Sequence, residues 1–167
     1  SSTVGLGVNA GSTGCTACTT GKYNTLESQS SDTCVDCAAG KYNDVQNELQ
    51  CKECELGKYS PKNQTTSCEK CDRGKYGNSA TLLKILEELS CIDCPGGKFN
   101  VDAGKQELGD CVDCKAGTWS SNVGAGSDSA CIPCGPGRYN REAGSSTNTS
   151  CTECAEGQFN VNVGSTM

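Results

Sequence analysis

The chain has no histidine and only eight aromatic residues, one of them its sole tryptophan. It has one methionine, four prolines and no uninterrupted apolar run of the ~18 residues that a membrane-spanning helix needs. Without histidine there is no base for a partnered serine or cysteine nucleophile. The serines and carboxylates are scattered through Gly/Ser/Asn-rich sequence, so no catalytic set is visible and the chain is not expected to be an enzyme. No cofactor-binding motif occurs. Lys and Arg nowhere cluster and the net charge is -6, which removes the electrostatic footprint of a nucleic-acid partner. With 34% hydrophobic residues, the 167-residue chain cannot build one large core.

What it has instead is cysteine. The 16 cysteines fall into eight Cys-x-x-Cys pairs: 15/18, 34/37, 51/54, 68/71, 91/94, 111/114, 131/134 and 151/154. Three places after each pair stands a glycine, two places later an aromatic, then Asn or Ser, with Gly77 the one exception. All eight aromatics are used in this way: Tyr23, Tyr42, Tyr59, Tyr76, Phe99, Trp119, Tyr139 and Phe159. A repeat of about 20 residues lies far below the ~40 that fold without staples. The fold class expected is therefore small disulfide-rich repeats in an elongated array, mostly loop with short β-hairpins. Each repeat is expected to contact mainly its neighbours, with the aromatic as its minimal core.

The repeats fall into two groups. First cysteines are spaced 19, 17 and 17 from Cys15 to Cys68, and 20, 20 and 20 from Cys91 to Cys151. The second group shares a glycine five places after the aromatic: Gly104, Gly124, Gly144 and Gly164. This divides the chain into the tail of a preceding repeat with the first pair (1–17), four irregular repeats (18–90), strict 20-residue repeats (91–154) and the start of a further repeat (155–167). The next cysteine would fall past Met167, so the chain is expected to be a piece of a longer secreted or surface protein.

Between the groups lies a helical insert, 79–90. Leu82, Ile85, Leu86 and Leu89 fall at i, i+3, i+4 and i+7, the apolar face of a helix of two to three turns. Ser79 or Thr81 could cap it. That face is the one substantial apolar patch in the sequence. It is expected to pack over neighbouring repeats, and is also the candidate contact with a partner chain.

Cysteine connectivity stays open at this level. One pattern joins the second cysteine of each pair to the first of the next; another links successive pairs twice. Zinc is a competing reading, since Cys-x-x-Cys followed by a second such pair also matches zinc-ribbon spacing. The residue before the aromatic is basic in six of eight units (Lys22, Lys41, Lys58, Lys75, Lys98, Arg138), and acidic residues sit inside the pairs (Asp36, Glu53, Asp93, Asp113, Glu153), so charge contacts between repeats are expected. Asn63-Gln-Thr65 and Asn148-Thr-Ser150 are N-glycosylation sequons.

Cys-x-x-Gly-x-aromatic, about ten residues, then Cys-x-x-Cys resembles the single-loop module of tumour-necrosis-factor-receptor cysteine-rich domains. It is closer still to the tandem ephrin-receptor-like cysteine-rich repeats of extracellular proteins. The resemblance implies the bridges Cys18–Cys34, Cys37–Cys51, Cys54–Cys68, Cys71–Cys91, Cys94–Cys111, Cys114–Cys131 and Cys134–Cys151, leaving Cys15 and Cys154 for partners outside the segment. The role expected is structural: a disulfide-bonded rod in a cell-surface or secreted fibre or appendage, for example a flagellar hair, in the secretory pathway and among copies of itself or other subunits. A receptor or adhesion ectodomain is the alternative.

Overall fold

A computed structural model describes residues 16–24, 33–81 and 84–167. Most of it is loop, punctuated by seven antiparallel two-stranded hairpins. These are β1 (Lys22–Tyr23) with β2 (Val35–Asp36), β3 (Lys41–Tyr42) with β4 (Lys52–Glu53), and β5 (Lys58–Tyr59) with β6 (Glu69–Lys70). There follow β7 (Lys75–Gly77) with β8 (Cys91–Asp93), β9 (Lys98–Phe99) with β10 (Val112–Asp113), β11 (Thr118–Trp119) with β12 (Ile132–Pro133), and β13 (Arg138–Tyr139) with β14 (Thr152–Glu153). Each hairpin joins the Gly-x-aromatic of one unit to the Cys-x-x-Cys of the next. Three 3-10 turns, Leu108–Asp110, Asp128–Ala130 and Asn148–Ser150, lead into the closing cysteines of the strict repeats.

Seven disulfides close the loops: Cys18–Cys34, Cys37–Cys51, Cys54–Cys68, Cys71–Cys91, Cys94–Cys111, Cys114–Cys131 and Cys134–Cys151. Double links between successive pairs do not occur among them. The cysteines in these bridges are not available as zinc thiolates. Loops of 14 to 20 residues are closed, and a loop of that size is worth about 3 kcal/mol by the chain-entropy argument. Cys154 carries a free thiol, half-buried; Cys15 lies outside the described residues.

The modules are knitted by one set of backbone hydrogen bonds that recurs along the chain. Taking Cys94–Cys111 as the reference module, the Gly97 amide donates to the Ser120 carbonyl of the next module (2.7 Å), and the Gly97 carbonyl accepts from the Cys114 amide (2.8 Å). The Cys94 carbonyl accepts from Gly124 (2.8 Å), and the Asn100 amide donates to Ala125 (2.9 Å). Contacts reach further than the neighbour. Gly97 lies against Gly144, two modules on, as Gly74 lies against Gly124 and Gly117 against Gly164. The expectation that each repeat touches mainly its neighbours is therefore corrected: each module also packs on the one after next.

The core differs from expectation as well. Seven of the eight aromatics of the repeat unit are half-buried and none is fully buried. The buried side chains among the described residues are half-cystines, Ala125 and Ser90, together with Asn24, Asn43, Ser60, Asn100, Ser120 and Asn140, the last residue of six of the units. The physical reason is the bond pattern. A carboxamide at this place supplies both a donor to the preceding module and an acceptor to its own turn, which an aromatic ring cannot. Asn140 donates from Nδ2 to the Thr118 carbonyl (3.0 Å) and accepts at Oδ1 from the Glu142 amide (3.0 Å). Asn100 repeats this with Lys75 and Asp102.

The shared glycines of the second group have counterparts in the first. Gly104, Gly124, Gly144 and Gly164 are left-handed, and their amides donate to the carbonyl of the opening cysteine of the preceding module. Asn47 (φ 63°) donates in the same way to Cys18, and Gln64 (φ 64°) to Cys37. Both lie five places after their aromatic, in the place of the glycine. A non-glycine residue pays about 1–2 kcal/mol for that conformation, and the buried Oδ1 of Asn47 has no partner. Asn47→Gly is expected to stabilise the chain by about 1 kcal/mol, read as a raised urea midpoint with unchanged slope; a lower midpoint would show that Asn47 holds its turn through its side chain.

Candidate interaction surface

The insert is the first place to look. Leu82 lies outside the described residues. A short helix is present but is shorter than two to three turns: α1 spans Glu87–Ser90, with Leu86 extended at its N-cap (φ -132°) and no side-chain cap hydrogen bond there. The cause is tertiary. The Ser60 amide donates to the Lys84 carbonyl (2.8 Å), the bond that Ala125 and Ser145 accept in later modules. The stack therefore draws the chain at 84–85 into its extended register, and only the last four residues are free to coil. Ile85 is half-buried beside Gly40. Leu86 and Leu89 are 45% and 46% exposed, so the predicted apolar face is split between packing and solvent.

A second apolar surface is more extensive. In a two-residue strand, adjacent side chains point to opposite faces, and in five of the seven hairpins the register sets a basic residue opposite an acidic one. On one face Lys22 stands opposite Asp36, Lys41 opposite Glu53, Lys75 opposite Asp93, Lys98 opposite Asp113 and Arg138 opposite Glu153. All five form ion pairs, the closest being Lys98–Asp113 and Arg138–Glu153 at 2.7 Å. Exposed pairs of this kind are worth about 0–1 kcal/mol each. Their value here is in register. Asp93 and Asp113 lie against Gly124 and Gly144 of later modules, so the charged face touches the stack while its carboxylates stay half exposed. Two hairpins depart from this: β11–β12 has Thr118 opposite Pro133, and β5–β6 has Lys58 opposite Lys70. Lys58 turns instead to Glu55 (2.8 Å), whose carboxyl this contact holds below the ordinary glutamate range.

The other face carries the aromatics, half-buried in these hairpins, beside exposed aliphatic residues. Tyr76 stands opposite Ile92, Phe99 opposite Val112 and Trp119 opposite Ile132. Ile92, Val112 and Ile132 are all exposed. Three consecutive modules thus present an aromatic beside a β-branched residue. At the hairpins beyond, the face turns polar: Tyr59 stands opposite Glu69, and Tyr139 opposite Thr152. Burial, then the nearby Glu87 and Glu69 carboxylates, push the Tyr59 hydroxyl above the ordinary tyrosine pKa. The Arg141 guanidinium lies 5.2 Å from the Tyr139 ring centre. The sequence singled out the insert and not this stripe, because the β-branched residues sit inside the cysteine pairs and only the register reveals what they face.

The two sequons are exposed. Asn63 Oδ1 accepts from the Ala39 amide (2.9 Å), and Asn148 opens the third 3-10 turn. An open cavity of about 550 Å³ lies beside Cys154, lined by Tyr139, Arg141 and Phe159 among others. Among the described residues, no group of His, Cys, Asp and Glu is arranged to hold a metal, and no helix is long and apolar enough to cross a membrane.

Residues 102–151 match the family described as tyrosine-protein kinase ephrin type A/B receptor-like. The matched stretch covers the strict repeats, from the loop of the Cys94–Cys111 module to the end of the Cys134–Cys151 module. No curated protein matches the chain. Tandem disulfides and this match together fit an extracellular, disulfide-rich module of the secretory pathway.

Proposed function

We propose that this array of ephrin-receptor-like cysteine-rich modules is a structural element: a disulfide-bonded rod contributing to a cell-surface or secreted fibre or appendage, of which a flagellar hair is one concrete form. The observation that carries this reading is the stack of modules. The same backbone bonds recur from module to module, with the Gly57 amide the one break in the glycine series, and contacts reach two modules ahead, so the chain resists bending and offers a repeating surface. It performs no catalysis in this role. Its partners are other copies or other subunits, with N-glycans on Asn63 and Asn148 and with Cys154 as a half-cystine for a bond beyond the segment. Cys154 stands in the place of seven bridged cysteines, and its amide donates to the Gly137 carbonyl (2.9 Å) as those of six of them, Cys37 to Cys134, donate to the preceding glycines.

The experiment is assembly of the purified chain, followed by sedimentation and electron microscopy. Concentration-dependent oligomers or filaments are expected. A chain that stays monomeric yet binds one foreign protein tightly at 1:1 would overturn the structural role and favour a receptor or adhesion ectodomain, the reading that the ephrin-receptor likeness of residues 102–151 supports. Independently of assembly, Cys154 of the unreduced protein is expected to take up iodoacetamide; lack of labelling there would show the thiol already bonded.

A further inference from the structure

The aromatic stripe has a length, a centre and charged ends, and together these define a partner. Its centre is Phe99 and Val112 on β9–β10. One module before come Tyr76 and Ile92, one module after Trp119 and Ile132. Two modules before the centre stands Glu69, on the aromatic face opposite Tyr59. Two modules after it stands Arg141, whose guanidinium lies by the Tyr139 ring and which forms no ion pair among the described residues. The module-to-module bonds recur along these hairpins, apart from the Gly57 amide, which donates to no carbonyl of the next unit, and the stripe is the succession of their aromatic faces.

We propose that this stripe is the lateral contact between two copies of the chain, paired antiparallel about a two-fold axis through β9–β10. Such an axis brings Tyr76 and Ile92 of one copy onto Trp119 and Ile132 of its partner, and the central pair onto itself, as an isologous interface requires. It also sets Glu69 of each copy against Arg141 of the other. A parallel pairing would set Glu69 against Glu69 and Arg141 against Arg141, so the end charges select the antiparallel arrangement. Aromatic residues at the centre with charges at the rim are the composition of a protein–protein interface. Burying three aromatic and β-branched pairs per copy supplies the apolar drive that the chain's net negative charge opposes.

The inference rests on the fibre reading and deepens it. The full chain, with free thiols alkylated so that no disulfide can join two copies, is followed by sedimentation velocity from about 1 to 100 µM. Self-association is expected. Val112→Glu places two carboxylates against each other at the axis and is expected to weaken association at least tenfold. Glu69→Arg and Arg141→Glu alter only exposed side chains. Each alone is expected to weaken it about tenfold, and together they restore the wild-type constant to within about twofold. Association undiminished in Val112→Glu overturns this surface and leaves the fibre reading standing. Single reversals without effect, or a double reversal without recovery, overturn the antiparallel register. A wild-type chain monomeric across the range overturns the pairing and the fibre reading together.

Discussion

Gly97→Ala is expected to cost about 3 kcal/mol or more, while Gly137→Ala costs about 1 kcal/mol. The two glycines are equivalent in their own modules. Both are left-handed, with φ 83° and 74°. Both donate to the Asn or Ser carbonyl of the next unit (2.7 Å each) and accept from the second cysteine of the next pair (2.8 and 2.9 Å). The backbone penalty for alanine is therefore the same at both, about 1–2 kcal/mol. They differ in what lies beyond. A methyl group on Gly97 would run into the carbonyl of Gly144, with the carbonyl carbon 2.6 Å away; on Gly137 it would meet nothing within 4 Å. Gly144 is itself tied to Cys114 by its amide (2.8 Å), so the obstacle is a backbone held in place and not a side chain that can swing aside. Overpacking of that kind adds about 1–3 kcal/mol. Because repeat arrays need not unfold in one step, amide exchange is the sharper readout. Gly97→Ala should raise exchange at Gly144 and Ser120, in modules that the mutation does not touch covalently. Equal losses at the two sites would show that modules do not pack on the one after next.

The contrast shows where the sequence was informative. Cysteine pairs, glycine and aromatic recur at fixed spacing, so the fold class and the short hairpins could be read from them directly. The charged face was legible too, because basic residues beside the aromatic and acidic residues inside the next pair recur with the same period. Three features were not. Asn and Ser at the end of the unit look like ordinary turn residues, and nothing local says that they are the most deeply buried side chains. The aromatic looks like the core of a small repeat, yet a stack with so many backbone bonds between modules has its interior filled by cystine and carboxamide, and the rings stay at the rim. At 84–90 the sequence is helical by periodicity, but the hydrogen bond that Ser60 offers to Lys84 is available only in the stack. Each of the three is decided by a neighbouring module, which a reading of one repeat at a time cannot include. Asn47 and Gln64 were within reach: counting five places past the aromatic in every repeat would have set them beside Gly104 and Gly124.

Asn43→Asp tests the buried carboxamide with almost no change of shape. Asn43 is 0% exposed. Its Nδ2 donates to the Lys22 carbonyl in the preceding module (2.6 Å), its Oδ1 accepts from Val45 in its own (3.1 Å), and its amide donates to Thr65 in the next (3.1 Å). One side chain and its backbone thus join three modules. Aspartate keeps the acceptor but turns a second oxygen toward the Lys22 carbonyl, where a donor is required. The expected loss at neutral pH is about 2–5 kcal/mol, from a buried charge and a repelled carbonyl. The sign of the pH dependence follows. Burial raises the folded-state pKa of the introduced carboxyl above its unfolded value of about 3.9. The penalty relative to wild type is therefore absent below about pH 3.9, where the neutral acid can donate to Lys22 as the amide did. It grows as pH rises from there, and is complete above the raised folded-state pKa. Asn43→Ser, by contrast, introduces no charge and places a hydroxyl where Ser60 and Ser120 already stand buried. Its cost should be about 1 kcal/mol and independent of pH. Urea midpoints for the three proteins between about pH 3 and 8 separate the cases. A difference between Asn43→Asp and wild type that stays constant over that range would mean that the site is hydrated, and that the disulfides hold the modules together without the carboxamide.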